Sequence, residues 1–419
     1  MLYWLGVAAF ALAILISVSL HELGHMITAK RFGMKVTRYF VGFGPTIFSF
    51  RRGETEYGLK AIPLGGFCKI VGMTPQDDDV EPEDQPRAMW RFPVWKRTVV
   101  MSAGSITHFL LAVVATWFAA IFIGLPNPAY PADTAAQLKS PAMIDVGDCV
   151  QIVLSQQATC KPGVGSDRAA PAALAGLRTG DVITKVGDTP VHNYGQLTDA
   201  IRATAPGPTV FEYTRAGHPG RTTVNLIAAQ RTPLDDPNGP VRQVAVAGIG
   251  WTTTQPTSVE YGPIGAIGAT GDFSWTLVKG TFSALGRIPD KVPALWRSIT
   301  GSQRDPDTPI SVVGASRLGG EAIERGVPEV FLMIFISLNV FIGIFNLLPL
   351  LPVDGGHIAI AWYERVRSWL YARLRKPDPG RVDYYKLMPI TYAVILIGGA
   401  FTLLTITADV VNPIQIFSR

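Results

Sequence analysis

The chain is short of charge. Only 16% of its 419 residues are Asp, Glu, Lys or Arg, against 48% hydrophobic residues, and its mean hydropathy is positive at +0.25. A soluble globular protein carries about 25% charged residues. The deficit argues against an ordinary water-soluble enzyme and for an integral membrane protein. Cysteine is scarce as well. Three residues, Cys68, Cys149 and Cys160, cannot build a disulfide-rich scaffold. Cys149 and Cys160 lie close together in one polar stretch, as a disulfide if that stretch is extracytoplasmic or as two free thiols otherwise. Basic motifs interleaved with aromatics are lacking, which leaves no nucleic-acid partner. The formal net charge of +5 is read as juxtamembrane Lys and Arg. The first 20 residues lack a basic head and a small-residue cleavage site, so they read as a retained span rather than a leader.

Four apolar runs are present, at residues 2–28, 98–123, 330–351 and 390–411. Each is long enough to cross a hydrocarbon core that needs about 20 residues. Residues 30–97 and the connection between the last two runs both carry an excess of Lys and Arg. The positive-inside rule places both on the cytoplasmic side. They fall on the same side because an even number of spans separates them. The N-terminus and residues 126–256 are then extracytoplasmic.

Within the first basic loop, residues 39–41, 46–50 and 57–62 are short strand-like runs broken by Gly and Pro. They predict a membrane-associated β-hairpin region. Residues 63–67, with Gly65 and Gly66, make either a turn or a sheet edge. An open edge receives an extended peptide by backbone hydrogen bonds; the alternative is an ordinary hairpin packed on the membrane surface. Residues 74–85 are acidic and read as a solvated loop. Residues 172–191 suggest a short helix, a strand, a tight turn and a strand, followed by a helix at 196–205 and a strand at 209–213. That pattern resembles a PDZ domain, a family that binds extended peptides at a groove. Asp181 after Gly180 is turn chemistry. Residues 257–329 are broken by Gly, Pro and charge, and read as a linker with amphipathic surface helices at 275–285 and 292–299.

Polar residues inside the apolar runs are costly and mark function. His21, Glu22 and His25 form H-E-x-x-H at the end of the first run. Residues four apart share a helix face, so the two imidazoles can hold zinc while the Glu serves as general base. A hydrogen-bonded structural His is the plainer reading. His108, in the second run, needs a partner: it faces the metal site or bonds a neighbouring carbonyl. The third run ends in Asn346-Leu347-Leu348-Pro349-Leu350-Leu351-Pro352-Val353-Asp354-Gly355-Gly356. Its prolines and glycines break the helix, and Asp354 supplies a third ligand or caps a helix. The topology favours the ligand. Runs one and three cross in the same direction, so His21, His25 and Asp354 come to similar depth.

Together these residues resemble the site-2 protease family of intramembrane zinc metalloproteases. His21-Glu22-Leu23-Gly24-His25, Asn346 through Gly356 and the PDZ-like insertion carry the likeness. The stretches 38–45, 63–68 and 309–315 carry it further, towards mycobacterial members. The resemblance implies a Zn2+ cofactor and cleavage, within the lipid bilayer, of single-span proteins such as anti-sigma factors. It also implies a regulatory PDZ-like domain with a peptide ligand, and substrate contacts from Asn346. One departure stands out. The family commonly carries Gly-Pro-x-x-Asn in the second span, where this chain has Gly104-Ser105-Ile106-Thr107-His108. His108 can stand in for the Asn as a hydrogen-bond donor to the reaction's oxyanion, or crowd the metal. The rival readings are a catalytically weak or inactive membrane adaptor with a structural metal, which has no need of Glu22, and a metal transporter, which needs polar residues along a through-path.

Overall fold

The computed structural model describes residues 1–73, 80–153, 160–233, 240–302 and 304–414. Of the acidic stretch at 74–85, residues 74–79 fall outside these. The chain divides into two compact units, Met1–Leu125 with Glu260–Arg419, and Pro126–Val259.

In the first unit, α1 is Leu2–Arg31 and leads into a long hairpin, β1 (Val36–Arg52) and β2 (Thr55–Ile70). Each strand pairs with the other twice. Val36 to Val41 meets Ile70 to Gly66, and Arg38 to Val41 also lies beside Glu56 to Leu59. The outer half, Thr46 to Arg52, pairs with Lys60 to Thr55. Gly42 and Gly44, with φ of +87° and +80°, allow the bend that folds the hairpin over. The second apolar helix, α2, is Val94–Phe122. Then come α3 (Gly265–Ile299), α4 (Val312–Glu324), α5 (Pro328–Asn346), α6 (Asp354–Arg373) and α7 (Met388–Val411).

Among the described residues four helices are long and apolar enough to cross a membrane: α1, α2, α5 and α7 with its preceding turn. They coincide with the four expected runs. Many of their apolar side chains point outward, including Leu5, Leu12, Leu110, Phe118, Leu396 and Ile397. That is the arrangement for helices dissolved in lipid. The third ends earlier than expected. Pro349 and Pro352 cannot continue a helix, and the helix stops at Asn346.

Residues 257–329 differ from expectation. Rather than two short helices there is one, α3, of 35 residues, running through Pro289 and Pro293. The glycine-rich α4 is largely buried against α1. A Cβ on Gly320 would lie 2.6 Å from Val7 Cγ2, and one on Gly319 2.8 Å from Phe10 Cδ2. Small residues let the two backbones approach.

The second unit has a five-stranded sheet in the order Arg242–Val246, His218–Arg231, Gly207–Arg215, Val182–Val186, Thr189–Pro190. The helices Pro171–Leu174 and Tyr194–Ala203 accompany it. Ile183, Leu197, Phe211 and Leu226 are fully buried in one core. Cys149 and Cys160 form a disulfide. Asp181 accepts from the Arg178 backbone N–H and pairs with Arg215 at 2.7 Å.

Candidate metal centre

His21 and His25 lie towards the C-terminal end of α1, both buried. One helical turn separates them, so their rings meet on one face; the centroids are 4.7 Å apart. The His25 Nδ1–H donates to the Val100 carbonyl of α2 at 2.7 Å. A carbonyl only accepts, so in the neutral ring Nε2 is left with its lone pair. Such a bond to the far nitrogen fixes the tautomer and the ring orientation. The two Nε2 atoms stand 3.1 Å apart.

Asp354 opens α6, which is capped by Val353 without a side-chain bond. Asp354 is thus not the helix cap. Its Oδ2 is 3.3 Å from each histidine Nε2. The loop between α5 and α6 wraps so tightly that a Cβ on Gly355 would lie 2.3 Å from the Leu347 and Leu348 carbonyls. Only glycine admits this path, and the path delivers Asp354 to the histidines. Gly104 on α2 closes the opposite side. A Cβ there would stand 2.5 Å from Nε2 of both rings.

The donor set fits zinc. A tetrahedral ion with bonds of about 2.0–2.1 Å spaces its ligand atoms about 3.3–3.4 Å apart; the three distances here are 3.1, 3.3 and 3.3 Å. Asp354 Oδ2 is buried without a hydrogen-bond partner among the described residues, a state that a cation relieves. The only other such group among the described residues is Cys149, Cys160 and Asp167, and its cysteines are bonded to each other.

Glu22 sits beside the hairpin. Its Cγ lies 3.5 Å from where a Gly66 Cβ would stand, and the Cys68 backbone N–H faces its carboxylate. Gly65 is next along β2, with Phe43 and Val18 as neighbours. The structure therefore brings Gly65, Gly66, Glu22, His21, His25 and Asp354 to one place. Burial, with the nearby Glu22 charge, pushes the Cys68 thiol up to about 12, so it stays neutral.

His108 borders the same site, its ring 5.0 Å from that of His21. Its Nδ1 lies 2.8 Å from Asn339 Oδ1 and 3.1 Å from Ser17 Oγ, and Ser17 Oγ–H also donates to Asn339 Oδ1. Asn339 Nδ2 donates to the Phe335 carbonyl, which leaves Oδ1 to receive the His108 Nδ1–H. Ser17, His108 and Asn339 thus tie α1, α2 and α5 together. Asn339 and Ser17 escape a motif reading. A polar residue inside an apolar run was the available signal for Asn339. Asn346 ends α5 and makes no side-chain hydrogen bond among the described residues.

A family model described as Peptidase family M50 matches residues 9–376. The zinc metalloprotease Rip1 of Mycolicibacterium smegmatis is 45% identical over 426 residues, covering all of both chains. The zinc metalloprotease Rip1 of Mycobacterium tuberculosis is 44% identical over 423 residues, again end to end. The regulator of sigma E protease of Salmonella typhimurium is 27% identical over 87% of this chain and 91% of its own. With the family model spanning most of its length and two relatives matching it throughout, the chain belongs to peptidase family M50, the site-2 protease family.

Proposed function

We propose that His21, His25 and Asp354 hold the catalytic zinc and that Glu22 is the general base for peptide hydrolysis within the membrane. Membership of the family makes the protein a membrane-embedded zinc metalloprotease. The observation that carries the residue assignment is the triangle of donor atoms at 3.1–3.3 Å with Glu22 on the adjoining surface of the same helix.

Bound zinc supplies Lewis acidity, polarising the scissile carbonyl and bringing the attacking water's pKa towards neutrality. Glu22 takes the proton released as water adds to the carbonyl carbon, and returns it to the leaving amine. Val100, through its bond to His25, keeps that ring's lone pair aimed at the metal. The β2 edge at Gly65 and Gly66 holds an extended substrate by backbone hydrogen bonds beside Glu22. A helical substrate must unwind there, because its own hydrogen bonds shield the peptide groups. Asn346, at the end of α5, contacts the substrate as it enters. The expected oxyanion donor, His108, has given its Nδ1–H to Asn339. Its neutral ring therefore offers the site an acceptor at Nε2, suited to a substrate N–H.

The substrates are transmembrane segments of single-span proteins, anti-sigma factors being the class suggested by the relative named regulator of sigma E protease. The basic loops favour a cytoplasmic placement of the hairpin and the active-site end of α1, with the N-terminus and the inserted unit, residues 126–259, outside. The strand and helix order of that unit, and its disulfide, support an extracytoplasmic PDZ-like peptide-binding domain. The test is incubation of the purified protein with a single-span anti-sigma-factor fragment lacking its outer domain. Metal-dependent cleavage inside the apolar segment is expected. Zinc-loaded protein that cleaves no such segment would favour the adaptor reading.

A further inference from the structure

The second half of helix α6 presents an apolar face outward. Trp362, Val366, Trp369 and Leu370 recur at helical spacing, with Tyr363 at the margin, and all five are 45–58% exposed. Away from that face, the second half of the helix is polar. Glu364 pairs with Arg97 at 3.4 Å and accepts from the Val382 N–H. Arg367 donates to the Gly380 carbonyl, and Ser368 to Asp378. A helix with its apolar face outward requires an apolar surrounding.

The flank of that face is basic. Arg365, Arg373, Arg375 and Lys376 are exposed, and among the described residues none of them is in an ion pair. The one acid on the helix after Asp354, Glu364, is turned inward. Arg373 lies over the Trp369 ring at 5.8 Å. Contacts of α6 with α2 set its depth. Trp362 Nε1–H donates to Thr98 Oγ1 at 3.0 Å, next to the Trp95-Lys96-Arg97 stretch that opens the second apolar helix. Aromatic rings and Lys/Arg at one depth are the composition of a membrane interface, and a cluster of cations there attracts anionic headgroups at about fivefold in affinity per residue.

We propose that the outward face of α6 is a docking site for anionic phospholipid headgroups on the basic side of the membrane, and that this lipid fixes the helix that begins with Asp354. From Asp354 to Trp362 is eight residues, about 12 Å of rigid helix. Anchoring Trp362, Trp369 and the basic flank therefore holds the carboxylate against His21 and His25. The consequence for zinc rests on Asp354 being a metal ligand; the lipid preference does not.

The full-length protein is placed in nanodiscs of phosphatidylcholine alone or with phosphatidylglycerol, and lipid retained after detergent extraction is quantified. Zinc affinity is measured in the same discs by chelator competition. Wild type is expected to retain phosphatidylglycerol at least about tenfold over phosphatidylcholine, and to hold zinc more tightly in the anionic discs. R365Q/R373Q/R375Q/K376Q is expected to lose both effects. R365K/R373K/R375K is expected to keep them, because it keeps the charge. R221Q/R242Q, in the inserted unit, is expected to behave as wild type. Unchanged phosphatidylglycerol retention by the fourfold Gln variant overturns the site. Free glycerol phosphate competing as well as the lipid overturns the membrane as its source. Lost retention with zinc affinity the same in both discs overturns the link to Asp354, leaving the lipid site standing.

Discussion

Gly104 shows how little room the proposed metal centre leaves. It faces His21 and His25 across the α1–α2 contact, and any Cβ would press on both Nε2 atoms. Gly24 on α1 is equally close to the Ala103 carbonyl, at 2.7 Å from a Cβ. The two helices meet backbone to backbone where the histidines project. Gly104→Ala is therefore expected to rotate the rings apart and weaken zinc binding by about 10–100-fold, the range for changes that disturb ligand orientation. Chelator competition on purified protein reads this directly, and retention equal to wild type would contradict it. His21, Glu22 and His25 stood out in the sequence as polar groups in a run that otherwise excludes charge, and Asp354 as a carboxylate that the topology puts at similar depth. Gly104 did not. Its role is the absence of a side chain, and small residues in an apolar run read only as general packing.

At the scale of elements, α4 is the instructive case. Its Val312–Glu324 sequence holds Gly314, Gly319 and Gly320, and glycine in a helix interior costs about 1 kcal/mol relative to alanine. Propensity thus points to a loop. The helix forms because those glycines lie against other backbones and rings. Gly320 meets Tyr3 and Val7, Gly319 meets Phe10, and Gly314 faces the Asp409 carboxylate of α7. Gly320→Val is expected to force α4 off α1 and lower stability by about 1–3 kcal/mol, as overpacking does. Thermal unfolding in detergent would show it, and an unchanged midpoint would mean the contact is loose. The prolines of α3 misled in the opposite direction. Pro289 lay in the gap between the two expected helices, yet the backbone carries on through it and through Pro293. The hairpin's strand-like runs were legible from their apolar and aromatic residues. Its double register was not, because the pairing of Arg38 with both Lys69 and Glu56 depends on a bend at Gly42 and Gly44.

Over the whole molecule, the two units follow different physics. The first turns many apolar side chains of its long helices outward. The second buries an apolar core and exposes charge; apolar residues between Gly turns made its elements from 171 to 215 legible, whereas the strands His218–Arg231 and Arg242–Val246 carried no such signal. Its acid stability depends on Asp181. Burial raises that carboxyl, but Arg215 and the Arg178 N–H outweigh it and hold the pKa below the usual carboxylate range. A depressed folded pKa contributes stability above the unfolded value, and the contribution is lost as pH falls through the folded one. Asp181→Asn is expected to lower the unit's unfolding midpoint at pH 7, with the difference shrinking as pH drops below about 4. A difference independent of pH would assign the effect to packing. Whether one site both binds zinc and uses Glu22 for chemistry is decided by measuring zinc content and cleavage on the same preparations of wild type, Glu22→Gln and Asp354→Ala. Glu22→Gln should keep its zinc and lose cleavage by at least about 100-fold, while Asp354→Ala should lose both. Full cleavage by zinc-loaded Glu22→Gln would contradict the account.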